Sequence, residues 1–248
     1  MSILQTYLCK TALTLDNHYC VMDDDEIGKL TQGNMKIMNP VSETKLILSG
    51  KYANLKPGMS VLDVGCGNGT LLHLWHKEFG IVGTGIELQK ESVSRARDLL
   101  KNTDIYIIEG DALSYLPDEP YDVVCAFGTA FIFGGAEKAM EHLAGFVKEG
   151  GSLVIGDRFW KKESVPPDFA REWRDVPTSL ELVSTARYLG LTLAGMLSAS
   201  DEEWDQYESA VWKNAISEHM YDYLEQIQDE YLTYGREYMA RGSFVFRS

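Results

Sequence analysis

The stretch "VLDVGCGNGT", Val61 to Thr70, runs from apolar residues through one acid into three glycines, Gly65, Gly67 and Gly69, at alternate positions. The apolar run reads as a buried strand, and "TLLHLWHKEFG" after it restores apolar residues at helical spacing until Gly80 stops them. The glycines therefore sit where a strand turns into a helix. Such a turn needs a bare backbone, and it aims amide groups at whatever lies beyond the helix N-terminus.

Working outward, the same cycle repeats to about residue 157. "IVGTGIEL" reads as strand, "KESVSRARDLLK" as helix, "IYIIEGD" and "YDVVCAFG" as strands, "GAEKAMEHLAGFVKEGG" as a helix closed by glycines, and "SLVIGD" as strand. Strands alternating with helices predict an α/β fold, doubly wound around a mostly parallel sheet, with ligands beyond the carboxyl ends of the strands. The flanks differ. Residues 1 to 58 read as a polar, helical lead-in with a break at Pro40 and a Pro57–Gly58 turn before the first strand. After residue 158, a Pro-containing stretch precedes a helix "SLELVSTARYLG", a strand "LTLAGMLSAS", a helical insert at about 200–240 and a last strand "GSFVFRS". Ser200 and Glu203 have capping-box spacing, and Trp204, Tyr207, Val211 and Trp212 share one face of the helix they open. We read residues 1–248 as one domain: lead-in 1–58, core 59–157, late strands with insert 158–248.

Composition narrows the function. The 248 residues are 45% hydrophobic, yet no apolar run approaches the roughly 20 residues that cross a bilayer, and the start carries no secretory pattern. A cytoplasmic protein is expected. The formal charge of −14 opposes a whole-protein attraction to nucleic acid or to anionic membranes. Cys9, Cys20, Cys66 and Cys125 stand far apart, which predicts free thiols rather than a disulfide framework. His73 and His76 are spaced for a metal but lack a third ligand at a motif spacing, so no metal site is expected.

The glycine loop has companions. A dinucleotide fingerprint would carry its third glycine where Thr70 stands, so the loop reads GxGxG instead. Glu87, ending the second strand, can accept hydrogen bonds from vicinal ribose hydroxyls, and Asp111, ending the third, can accept from an exocyclic amine. In order and spacing, "VLDVGCGNGT", "GTGIEL", "IIEGDA", "YDVVCAFG" and "VKEGGSLVIGD" resemble the successive motifs of class I S-adenosylmethionine-dependent methyltransferases. The resemblance covers about residues 55–157. It implies a seven-stranded Rossmann-like sheet with an antiparallel last strand, and S-adenosyl-L-methionine lying across the strand ends, leaving as S-adenosyl-L-homocysteine. By position, it assigns the methionine portion to Asp63 and the backbone of Gly65, Cys66, Gly67, Asn68 and Gly69. It assigns the ribose to Glu87, the adenine flank to Leu88, the amine edge to Asp111 and Ala112, and the sulfonium neighbourhood to Phe127 and Gly128. "MNPVSETKLILSG" and "DEEWDQYESAVWKNA" are similar to a bacterial branch of small-molecule methyltransferases with mostly unassigned substrates.

Methyl transfer from a sulfonium is an in-line displacement that needs alignment and water exclusion more than a catalytic triad. A helical cap over the strand ends is therefore expected, formed by the lead-in near "IMNP", by "GDRFWKK" and by the insert. Asp157 and Arg158 follow the fifth strand, and Arg158 can hold an anionic substrate group. Phe159 and Trp160 are candidate walls, and Tyr207 is the candidate base if its pKa is lowered. The fourth strand is followed by "AFGTAFIFGG" rather than the Asn-Pro-Pro-Tyr type signature of many nucleic-acid amino-methylating enzymes, which favours a small-molecule acceptor. Two other readings remain open: a non-catalytic protein that binds the same cofactor, and a nicotinamide-dependent oxidoreductase. Oligomeric state is left undetermined by periodicity.

Overall fold

The computed structural model describes residues 7–9, 20–22 and 24–248. The predicted helical lead-in is corrected at its start: β1 (Tyr7–Cys9) and β2 (Cys20–Met22) pair antiparallel, and only then come α1 (Asp24–Gln32) and α2 (Glu43–Tyr52). The alternating core follows as β3 (Ser60–Val64), α3 (Thr70–Phe79), β4 (Val82–Glu87), α4 (Lys90–Leu100), β5 (Ile105–Glu109), β6 (Tyr121–Phe127), α5 (Ala136–Ala144) and β7 (Val147–Trp160). Then come α6 (Pro167–Glu172), α7 (Ser179–Tyr188), β8 (Thr192–Ser198), α8 (Asp201–Ser217), α9 (Tyr221–Glu230), a π-turn over Tyr231–Gly235, α10 (Arg236–Tyr238) and β9 (Met239–Arg247).

The main sheet has seven strands in the order β5-β4-β3-β6-β7-β9-β8. Strands β3 to β7 pair parallel, while β9 runs antiparallel to both β7 and β8. The period-2 alternation of the strands splits the core between two faces. Leu62, Val64, Val124, Ala126, Leu153 and Ile155 pack with α5 and α7, whereas Val61, Val123, Cys125 and Val154 pack with α2 and α3. On that second face Trp75 is fully buried and donates its indole N–H to the Leu46 carbonyl at 2.7 Å, locking α3 to α2. A buried indole without such a partner would lose about 1–3 kcal/mol.

Two boundaries differ from expectation. Helix α5 stops at Ala144, capped by Gly145, and "VKEGG" belongs to the next strand. Strand β7 is accordingly 14 residues long and carries Asp157, Arg158, Phe159 and Trp160 as strand residues rather than as a linker after it. The reason is β9, whose residues Met239 to Arg247 supply partners all the way from Trp160 back to Ser152.

The cap is built on the same end of the sheet. Helix α8 starts with the expected capping box, both Ser200–Glu203 bonds being present. Trp204, Tyr207 and Val211 are buried from one face of α8 against Phe169, Tyr231 and Met239, with Trp212 packed alongside. Lys45 of α2 reaches Glu203 at 2.5 Å and the Ser198 carbonyl at 2.7 Å, and Asn214 of α8 donates to the Thr31 carbonyl of α1 at 2.6 Å. Lead-in and insert thus form one layer. Among the described residues, no helix is long and apolar enough to cross a membrane.

Candidate functional site

A cleft open to solvent lies at the carboxyl end of β3. Its walls include Asp63, the glycine loop, Phe127 and the segment Lys36 to Asn39. Gly65, Gly67 and Gly69 all have positive φ, at 70°, 53° and 78°. Close approach is as demanding as backbone conformation: a Cβ on Gly65 would stand 2.3 Å from Thr129 Cγ2, and one on Gly67 2.6 Å from Met38 Cε. The loop's amides differ from the expected row of free donors. Gly65 and Cys66 both donate to the Ile86 carbonyl, at 2.8 and 3.0 Å, and Gly67 donates to Glu87 Oε2 at 2.9 Å. Internal hydrogen bonds shape the loop, and what it presents to a ligand is chiefly bare backbone.

Asp63 is 2% exposed and stands in register with Cys125 on the neighbouring strand. Burial pushes its carboxyl up to about 7, the Cys125 thiol opposes the shift, and the Glu87 charge adds to it. No cation pairs with it among the described residues, so this acid lines the cleft without a counter-charge. The Cys66 and Cys125 thiols are buried and free, and burial and the nearby Asp63 raise both well above the usual thiol range. The side chains of Cys9 and Cys20 lie outside the described residues. His76 uses Nδ1 on the Ile81 carbonyl at 2.7 Å.

The remaining predicted cofactor residues are distributed along the strand ends. Glu87 also accepts from the Gln89 N–H at 2.8 Å. Leu88 beside it is 68% exposed, a large apolar side chain left for a planar ligand face. Asp111 caps the turn Ala112–Ser114 by accepting from the Leu113 N–H at 3.0 Å, so a structural duty accompanies whatever it does for a ligand. Asn68 turns away from the expected ligand: its amide donates to the Met35 and Lys36 carbonyls at 3.1 and 3.2 Å and its oxygen accepts from the Thr70 N–H. It pins the segment before α2 over the loop. Phe127 lies flat on Gly156, where a Cβ would be 2.2 Å from the ring, and Gly128 follows with φ of 70°.

Beyond Phe127 the structure brings Arg158 and Tyr207 together but sends Trp160 elsewhere. The Trp160 ring packs edge-on to Phe169 in the aromatic cluster under the cap. Burial raises the Tyr207 phenol, opposed by Arg241 and Arg158, which is the reverse of the lowering a base needs. Phe159 points to the other face and meets Phe244. Four residues missed in the sequence join the group: Trp173, Glu208, Glu230 and Arg241. The one available signal was strand length, since reading the last strand from Gly242 left out Arg241 by a single residue.

The residues fit S-adenosylmethionine on this structure's own terms: a buried acid without a counter-charge suits an ammonium group, the glycine cradle excludes side chains, and a carboxylate and an exposed apolar side chain, Glu87 and Leu88, follow at the end of the next strand. Comparisons with known proteins agree. The methyltransferase-domain family model matches residues 55–228. The chain is 30% identical to YjhP of Escherichia coli (strain K12), over 90% of this chain and 98% of that one. The structure of an S-adenosylmethionine-dependent methyltransferase from Thiobacillus denitrificans, in complex with S-adenosyl-L-homocysteine, superposes with a TM-score of 0.81 at 30% identity, covering 91% of this chain and 99% of that one. Another, from Geobacter sulfurreducens with the same ligand, gives 0.80 at 30% identity, covering 89% and 96%. The chain belongs to the methyltransferase-domain family and is an S-adenosylmethionine-dependent methyltransferase.

Proposed function

We propose that the chain methylates a small-molecule acceptor by direct in-line displacement without a metal, within a single domain that spans residues 1–248. The observation that carries this reading is the shared cleft of Asp63, the glycine loop and Phe127, roofed by the segment from Lys36 to Asn39 and adjoining the insert. When bound, S-adenosylmethionine supplies a methyl group activated by its sulfonium. Asp63 holds the ammonium of the methionyl portion, and the backbone from Gly65 to Gly69, with Cys66 and Asn68 shaping it, lets that portion lie close. Glu87 takes the ribose hydroxyls, Leu88 covers the adenine, and Asp111 with Ala112 meets its amine edge. Phe127 and Gly128 border the reacting methyl. The acceptor approaches from the side of Arg158 and Tyr207, where the cap excludes water. Trp160 supports that wall from behind. Glu230, pushed up to about 7 by burial, with Arg158 opposing and Glu172 and Glu208 adding, is the group there able to receive a proton at neutral pH.

Calorimetric titration with S-adenosylmethionine and S-adenosylhomocysteine tests the cofactor placement. Saturable binding that Gly67→Arg abolishes supports it, because the new side chain must enter the space held by Met38 and the ligand. Unchanged affinity in that variant overturns it.

A further inference from the structure

Arg158 of β7 and Arg241 of β9 are direct cross-strand partners. Like charges at such positions repel, and no ion pair relieves them here. Neither guanidinium makes a side-chain hydrogen bond or an ion pair among the described residues, and Arg241 Nε is buried without a partner. Aromatic rings cover their faces instead: Arg158 stacks 4.2 Å from the Trp173 ring centroid, and Arg241 lies 5.9 Å from that of Tyr207. Cation–π contact occupies a face and leaves the N–H edge free to donate. Burial pulls Arg158 down to about 10, and Arg241 adds to the effect, while Asp157, Tyr207 and Glu230 oppose it.

The surroundings show what is missing. Glu208 and Glu230 face the arginines from α8 and α9, yet neither forms an ion pair with them; Glu208 instead accepts from the Trp204 indole at 2.9 Å. Ser243, fully buried, has an unpartnered Oγ and stands opposite Gly156, the residue on which the Phe127 ring rests. Arg158 is two strand residues further on, about 7 Å along β7. A set of unspent donors thus begins next to the proposed methyl position and ends at two arginine edges. Holding two partly buried like charges side by side with no ion-pair partner carries an electrostatic cost. A ligand anion would offset that cost.

We propose that the acceptor is a small carboxylic acid whose carboxylate binds between Arg158 and Arg241, an inference that rests on the small-molecule methyltransferase reading above. A monoanion suits the arginine pair better than a dianionic phosphate, because Glu208 and Glu230 oppose each added negative charge. The aromatic floor of Trp173 and Tyr207 favours a flat or apolar body behind the carboxylate.

The test uses benzoate as probe, followed by tryptophan fluorescence and calorimetry on the full chain, with and without saturating S-adenosylhomocysteine. Benzamide and phenyl phosphate serve as comparators. Benzoate is expected to bind saturably, at least tenfold tighter than either comparator, and to lose at least tenfold in both Arg158→Gln and Arg241→Gln. S-adenosylhomocysteine affinity should stay within twofold in both variants. Each variant alone should melt at or above the wild-type temperature, since it removes a repulsion, whereas a purely structural arginine would leave it less stable. No benzoate binding, equal binding in the variants, or preference for phenyl phosphate overturns the proposal. Failure of S-adenosylhomocysteine to bind the wild type would instead count against the cofactor placement, and benzoate titration without it still reads the arginine pair directly.

Discussion

The Glu87 carboxylate ties two pieces of backbone together, accepting from Gly67 N–H at 2.9 Å through Oε2 and from Gln89 N–H at 2.8 Å through Oε1. It therefore fixes the glycine loop, in addition to the ribose contact proposed for it. Glutamine at this position keeps one acceptor oxygen and turns an NH2 group toward an N–H donor. Glu87→Gln should weaken S-adenosylhomocysteine binding about 10- to 100-fold, the scale of losing one or two charge-assisted hydrogen bonds. Calorimetry checks this, and an unchanged affinity would remove Glu87 from the site.

Asp63 gives the site a pH signature. With its carboxyl near 7 in the free protein, it is partly protonated at neutral pH, and a ligand ammonium favours the ionised form. Binding should therefore release protons at pH 7, seen as a calorimetric enthalpy that varies with buffer ionisation heat, and affinity should rise between pH 6 and 8. Asp63→Asn should abolish the buffer dependence. The linked stability has the opposite sign. An acid raised above its usual 3.8 favours the fold at low pH, and that contribution is lost as pH climbs through about 7. Without ligand, Asp63→Asn should melt higher than wild type at pH 8, by about 2–4 °C for each kcal/mol recovered.

Met38 and Gly67 make a third case. The methyl of Met38 occupies the space of a Gly67 Cβ, and the loop there has φ of 53°. Gly67→Ala should lower cofactor affinity and stability together, with about 1 kcal/mol from the left-handed backbone alone. Adding Met38→Ala should restore the steric part and leave the backbone part. A double variant no better than Gly67→Ala, measured by thermal melting, would show that the segment over the loop gives way freely.

These sites were legible to different degrees. β3, β4 and β6 carry their own signal, since Val61, Leu62, Val64, Ile86, Val123 and Val124 are apolar in sequence and buried in fact. The glycine loop, Glu87 and Leu88 follow from strand ends, which local pattern locates well. Other features depend on partners remote in sequence. Asn68 could not be assigned to the Met35 carbonyl, because the segment that covers the loop lies upstream of both α2 and β3. Arg158 reads from sequence as the residue after its strand, whereas β9 extends β7 through it, and nothing local to Arg241 says that it stands opposite. Tyr207 was placed correctly on its helical face, but its environment, two arginines and Glu208, depends on packing.

The last prediction concerns the strut between lead-in and cap. Lys45 reaches Glu203 at 2.5 Å, with both side chains about a quarter exposed. Burial alone would raise the Glu203 carboxyl, but hydrogen bonds from Lys45, Ser42 and the Ser200 N–H carry it below its usual 4.5. A depressed carboxyl stabilises the fold above its unfolded value and loses that contribution as pH falls through the folded one. The cap should therefore loosen first on acidification below about 4.5, before the parallel core melts. Near neutral pH, a Lys45→Met and Glu203→Gln double-mutant cycle should give a coupling of about 0.5–1 kcal/mol, the scale of a partly screened ion pair. Hydrogen exchange locates the effect. Protection lost in α8 while β3 and β6 stay protected is the expected pattern, and uniform loss would mean that cap and core unfold as one unit.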